Sequence, residues 1–118
     1  MNSLQGIWRC ISWVTSGVAV RNSVAESIEV QFADWRYRIH RGGILLDDLE
    51  YTVNESASPM EMDLLQGEAD ECRSIGIFSC NDESLILCFS LWGQSRPTEF
   101  ISLPGTEIDL KTFKREKD

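Results

Sequence analysis

The chain has 118 residues, 42% hydrophobic and 25% charged, which fits a single globular domain over 1–118 and leaves no room for a second. Its 11 Lys and Arg stand against 19 Asp and Glu, a formal charge of −8, which argues against nucleic acid as a partner, since that needs a basic face. No apolar run approaches the roughly 20 residues of a membrane-spanning helix, and Met1-Asn2-Ser3-Leu4-Gln5 has neither the basic start nor the apolar stretch of an export signal, so a cytoplasmic setting is expected.

Period-2 alternation, the mark of half-buried strands, runs through the chain. Gly6 to Thr15 is apolar and β-rich, and Ser16-Gly17 marks a turn. Ile28, Val30 and Phe32 alternate with Glu29, Gln31 and Ala33. After a tight hairpin at Asp34, Trp35, Tyr37 and Ile39 alternate with Arg36, Arg38 and His40. Gly42-Gly43 closes that run. Leu49, Tyr51 and Val53 alternate with Glu50, Thr52 and Asn54. Met60, Met62 and Leu64 follow a polar loop. Ser74 to Cys80 reads as a further strand, then an Asn81-Asp82-Glu83 turn. Ser84 to Leu91 is almost wholly apolar, so it is expected to be covered on both faces. A last strand runs from about Glu107 to Phe113.

About eight antiparallel strands on short turns are best satisfied by a closed up-and-down barrel, since closure removes exposed strand edges. The fold expected is therefore all-β. Val18 to Ala25 is the least strand-like piece, a loop or a short helix over one mouth. Met1 to Gln5 would plug the other mouth as a helical turn. Cys10 and Cys88 lie in apolar strands and read as buried free thiols; Cys72 and Cys80 would be the first disulfide pair considered in an exported protein. No Cys pair has CxxC spacing and His40 is the only histidine, so no metal site and no cofactor are expected.

Leu4-Gln5-Gly6-Ile7-Trp8, then Leu87-Cys88-Phe89, then Arg96-Pro97-Thr98-Glu99-Phe100 occur in this order. The chain thereby resembles a bacterial lipocalin-like domain family of unknown function, of the planctomycete type, with its LQGxW start, LC strand and RPTEF segment. The resemblance covers nearly the whole chain and implies a small antiparallel barrel with a central cavity. It also implies a basic side chain from the last strand stacked on Trp8, with Lys111 and Arg115 as the candidates.

An eight-stranded barrel either fills with its own side chains or holds one small ligand. Phe32, Tyr37, Tyr51, Phe78 and Phe89 would form an aromatic wall, with Trp13 and Trp92 near a mouth, and Arg38 or Arg96 would orient a polar end. The leading functional reading is non-catalytic binding of a small apolar or aromatic molecule. The first alternative is an interaction or immunity-type protein that docks a basic partner. From 47 to 71 there are nine acidic residues and no basic one, and Asp47, Asp48, Glu50, Glu61 and Asp63 would form that face. The second is a barrel cyclase, which acts by folding its substrate and needs no triad. His40 lies opposite the aromatic face of its strand and so points away from any interior chemistry.

Overall fold

The computed structural model describes residues 4–66, 71–91 and 94–116, with 71, 72 and 91 described by their backbone. The expected all-β barrel is what the chain forms. In order, the elements are β1 (Gly6–Thr15), β2 (Val18–Ala19), α1 (Asn22–Ala25), β3 (Ile28–Ala33), β4 (Arg36–Arg41), β5 (Ile44–Asn54), β6 (Met60–Gln66), β7 (Glu71–Cys80), β8 (Ser84–Leu91) and β9 (Ile108–Arg115). Each long strand pairs antiparallel with the next, and β1 pairs with both β3 and β9, which closes eight strands into a barrel. The two-residue β2 is a spur on the end of β1, pairing Val14 with Ala19. Helix α1 fills the segment that alternates poorly and sends Ala25 into the core.

Turn chemistry sets the hairpins. Gly42 and Gly43, at φ +57° and +85°, form the β4–β5 turn. The β3–β4 turn uses Asp34 and Trp35, at φ 53° and 61°, the left-handed pair that a two-residue hairpin requires. This corrects the expectation that Trp35 opens the strand on its inward face. It is a turn residue, 55% exposed, and its ring packs on Tyr51 with centroids 5.3 Å apart. Asn81 organises the β7–β8 turn by accepting from the Glu83 and Ser84 amides at 2.9 and 2.8 Å.

One end of the barrel is plugged. Trp8 is fully buried, and its indole N–H donates to the Leu4 carbonyl at 2.9 Å. Arg115, its cross-strand partner on β9, lies over the indole at 4.1 Å. The guanidinium also donates to the Gln5 and Asp82 carbonyls, both at 2.7 Å. Gly6 makes room for it. Its φ is +127°, and an added Cβ would stand 2.7 Å from Arg115 Nη1. Of the two basic candidates it is therefore Arg115 that covers Trp8, while Lys111 lies over Trp13 at 4.7 Å.

Above this plug the interior is filled with side chains. Phe32 packs edge-on against Tyr37 and Tyr51, with centroids 5.5 and 5.0 Å apart, and Met62, Leu64, Phe78, Leu85, Leu87 and Phe113 complete the buried cluster. Residues 94–107 run outside the wall. Arg96 donates to the Gly76 carbonyl at 2.9 Å, and Ser90 Oγ donates to the Ser95 carbonyl at 2.9 Å. Beneath this strap Ile77 and Cys88 are buried on the outward side of β7 and β8, so β8 is covered on both faces as its apolar run predicts. Cys10, Cys80 and Cys88 are free thiols; the Cys72 side chain lies outside the described residues. No described helix is long and apolar enough to cross a membrane.

Candidate functional site

The end of the barrel opposite Trp8 is lined differently. Strand parity fixes which side chains face inward there. On β9, Phe113 is fully buried, so Lys111 and Asp109 share its face, opposite Leu87 and Phe89 of β8 and opposite Trp13 and Thr15 of β1. The β1 bulge between Cys10 and Ser12 shifts the alternation by one residue and keeps Cys10 and Trp13 on the same, inward side. The outcome is a polar patch inside an otherwise apolar tube. Lys111, its side chain only 13% exposed, has Nζ 3.8 Å from Asp109 Oδ2 and lies over the Trp13 ring. The Trp13 indole N–H donates to Asp109 Oδ1 at 3.3 Å.

Burial perturbs the titratable groups in and beneath the patch. Burial lowers the Lys111 pKa, against the opposing pull of Asp109 and Cys10. Burial likewise holds the Tyr37 phenol protonated well above its ordinary range, reinforced by Asp47, Asp109 and Cys10. Burial also pushes the Cys10 thiol up, partly offset by its contact with the Ser12 carbonyl and by Lys111.

Above Lys111 a cavity of about 220 Å³ opens, lined by Thr15, Ser16, Ser74, Phe89, Ser90, Glu107 and Asp109. Two larger concavities, of about 430 and 380 Å³, sit on the rim beside the strap and outside the wall near Arg9 and Lys114. Size does not decide between them. The smaller one is where the inward-facing Phe89, Ser74 and Thr15 meet the carboxylate that holds Lys111. Phe89 owes its place to Gly76 across the β7–β8 ladder, where an added Cβ would stand 2.4 Å from the ring.

The residues singled out from sequence divide accordingly. Phe32, Tyr37, Tyr51 and Phe78 all face inward but are packed into the core. Phe89 faces inward and lines the cavity. Trp92 lies outside the described residues. Arg38 and Arg96 are on the outer surface, not inside the barrel. Arg38 alternates with buried Tyr37 and meets Asp48 at 3.4 Å, while Arg96 meets Asp63 at 2.8 Å and Glu61 at 3.7 Å. Each of the five acidic residues is already paired with an arginine of this chain: Asp47 with Arg73, Asp48 with Arg36 and Arg38, Glu50 with Arg36, and Glu61 and Asp63 with Arg96. Burial pushes the Asp48 carboxyl up, but the hydrogen bonds and charges of Arg36 and Arg38 together outweigh it and hold the carboxyl below its usual range.

Asp109 and Ser74 were missed as site residues. The segment Ile108-Asp109-Leu110-Lys111 reads as apolar on the side of Ile108 and Leu110, which argues for that side facing in. The parity of Phe113 and Arg115 with Trp8 is the signal that reverses it. Comparison of the chain with family models, with curated proteins and with solved structures found no match.

Proposed function

We propose that this protein binds a small molecule non-catalytically at the open end of its barrel. An apolar or aromatic part of the ligand rests on Phe89, and a polar end meets Asp109 and the hydroxyls of Ser74 and Thr15. One observation carries the reading: the about 220 Å³ cavity is continuous with a half-buried carboxylate whose partners are inside the wall. An apolar floor with a few placed polar groups is the usual make-up of a small-molecule site. The volume is below the roughly 300–1,000 Å³ of drug-sized pockets, so the ligand is fragment-sized and enters the mouth rather than the aromatic core. The resemblance of the motif order to lipocalin-like domains, which implies a barrel with a central cavity, is in keeping with the same reading. The proposed setting is cytoplasmic, where buried thiols such as Cys10 and Cys88 stay reduced.

The test is native mass spectrometry of the protein purified from its own host. A small adduct that is lost on denaturation is expected, depleted by Phe89→Ala and by Asp109→Ala. An adduct retained equally by both variants overturns the site, and a protein that carries only a stoichiometric basic partner overturns the reading.

A further inference from the structure

Lys111 is the only lysine whose side chain enters the barrel among the described residues; Lys114, the other one described, is exposed on the outer face of the same strand. A lysine in such a place is chemically unusual. Its stem runs beside Trp13 and Leu87, its Nζ is 3.8 Å from the Asp109 carboxylate, and that carboxylate is part of the cavity wall. The nitrogen therefore lies one inward-facing position below the floor of the proposed binding site, with a proton acceptor between it and the entrance.

Resting on the open-end reading above, we propose that Lys111 is a carbonyl-reactive amine: a small aromatic aldehyde entering the mouth condenses with its Nζ and is held as an imine. The free amine adds to the carbonyl carbon, breaking the C=O π bond and giving a carbinolamine. The carbinolamine then loses its oxygen as water, taking with it the two protons that the nitrogen gave up, and a C=N bond remains. Amine and aldehyde thus give imine and one water, with no oxidant or reductant needed. Asp109 is placed to relay the protons between nitrogen and departing oxygen. At rest Asp109 and the Trp13 face hold the Lys111 ammonium, and its withdrawal from water eases release of the proton that exposes the nucleophilic amine. Phe89, in the cavity wall, offers the aldehyde's ring an aromatic face.

The experiment uses the full chain, benzaldehyde as the probe and cyanoborohydride to trap the imine at neutral pH, followed by intact mass and peptide mapping. Lys111 is expected to acquire the benzyl group several times faster than Lys114. Lys111→Arg, which keeps the charge over Trp13, should remove that fast phase and leave labelling at Lys114 unchanged. Benzyl alcohol, which cannot form an imine, is run in parallel with Trp fluorescence as the readout. If the alcohol binds but Lys111 labels no faster than Lys114, the covalent step is overturned and the open-end site stands. If neither compound acts at the open end, both are overturned.

Discussion

Gly76→Ala probes the packing that shapes the mouth. Gly76 faces inward from β7, directly across from Phe89 on β8. An added methyl would stand 2.4 Å from Phe89 Cδ1 and 2.5 Å from the Cys88 carbonyl oxygen. The ring can swing, at an off-rotamer cost of about 0.5–1.5 kcal/mol. The carbonyl cannot, because Cys88 is held in the ladder opposite Ile77 and its thiol is pinned beneath the strap. The two strands must therefore separate locally, and the whole change should cost about 1–3 kcal/mol, the range of overpacked cores. At roughly 4 °C per kcal/mol for a domain of this size, thermal denaturation followed by circular dichroism should shift down by about 4–12 °C. Phe89→Ala made in the Gly76→Ala background removes the ring clash and leaves the carbonyl clash. The double variant should thus be less destabilised than the sum of the singles by about 0.5–1.5 kcal/mol. A Gly76→Ala protein that melts with the wild type, or strictly additive losses, would refute this account of how Phe89 is seated.

Three further outcomes follow from the same structure. Tyr37 keeps its proton in the folded state above the pH of about 10 at which the unfolded chain releases it, so stability falls as pH rises beyond that point. Urea titrations from pH 9 to 11 should show a shallower alkaline loss for Tyr37→Phe, by up to about 1.4 kcal/mol per pH unit; an unchanged slope counts against a buried phenol. Trp8→Phe removes the hydrogen bond to Leu4 and weakens the Arg115 stack, and chemical denaturation should register a loss of about 1–3 kcal/mol. The ion pairs of Asp48 contribute above its unfolded pKa near 3.9 and are lost as pH falls below it; being half-exposed, they are worth at most about 1 kcal/mol. Asp48→Asn should flatten the acid limb of the stability profile at low salt and leave it unchanged at high salt.

Most of the fold was legible because strands with one wet face announce themselves. Phe32, Tyr37, Tyr51 and Met62 all lie inward as their alternation requires. The reading failed where a residue's type and its place disagree. Trp35 extends the aromatic alternation perfectly, yet the hairpin needs a second left-handed residue after Asp34, and turn geometry outranked hydrophobicity. Ile44 to Leu46 are apolar but exposed, so only pairing with Arg41 and His40 reveals that β5 begins there. The strap is the largest gap. Its contact with β8 makes the outward Cys88 as buried as the inward Leu87, and periodicity alone cannot tell an inner face from an outer face that another segment covers. The same ambiguity hid the polar patch on β9. Arg38 lies outward, as its alternation with Tyr37 requires; assigning it or Arg96 to a ligand's polar end overlooked the aspartates that hold both outside.

The polar patch is where structure and function can be separated. A buried ion pair is poor evidence for stability, because desolvation offsets the attraction, while removing one partner strands the other. Asp109 is 42% exposed and Lys111 only 13%, so the two halves of the pair are not equivalent. Asp109→Asn leaves the Lys111 ammonium in the wall without its carboxylate, over the Trp13 face, and should cost up to about 3 kcal/mol, the low end for a broken buried pair. Adding Lys111→Met removes the stranded charge and fills its space with an apolar side chain, while the Asn oxygen still accepts from the Trp13 indole. That double variant should recover to within about 1 kcal/mol of the wild type, or exceed it. Equilibrium urea unfolding of the two variants decides the matter. Recovery means that the fold does not need this charge pair, which leaves its place beneath the mouth open to the binding role proposed above. A double variant as unstable as Asp109→Asn alone would make the pair a structural brace, and the site would have to rest on Phe89 and the hydroxyls of the rim.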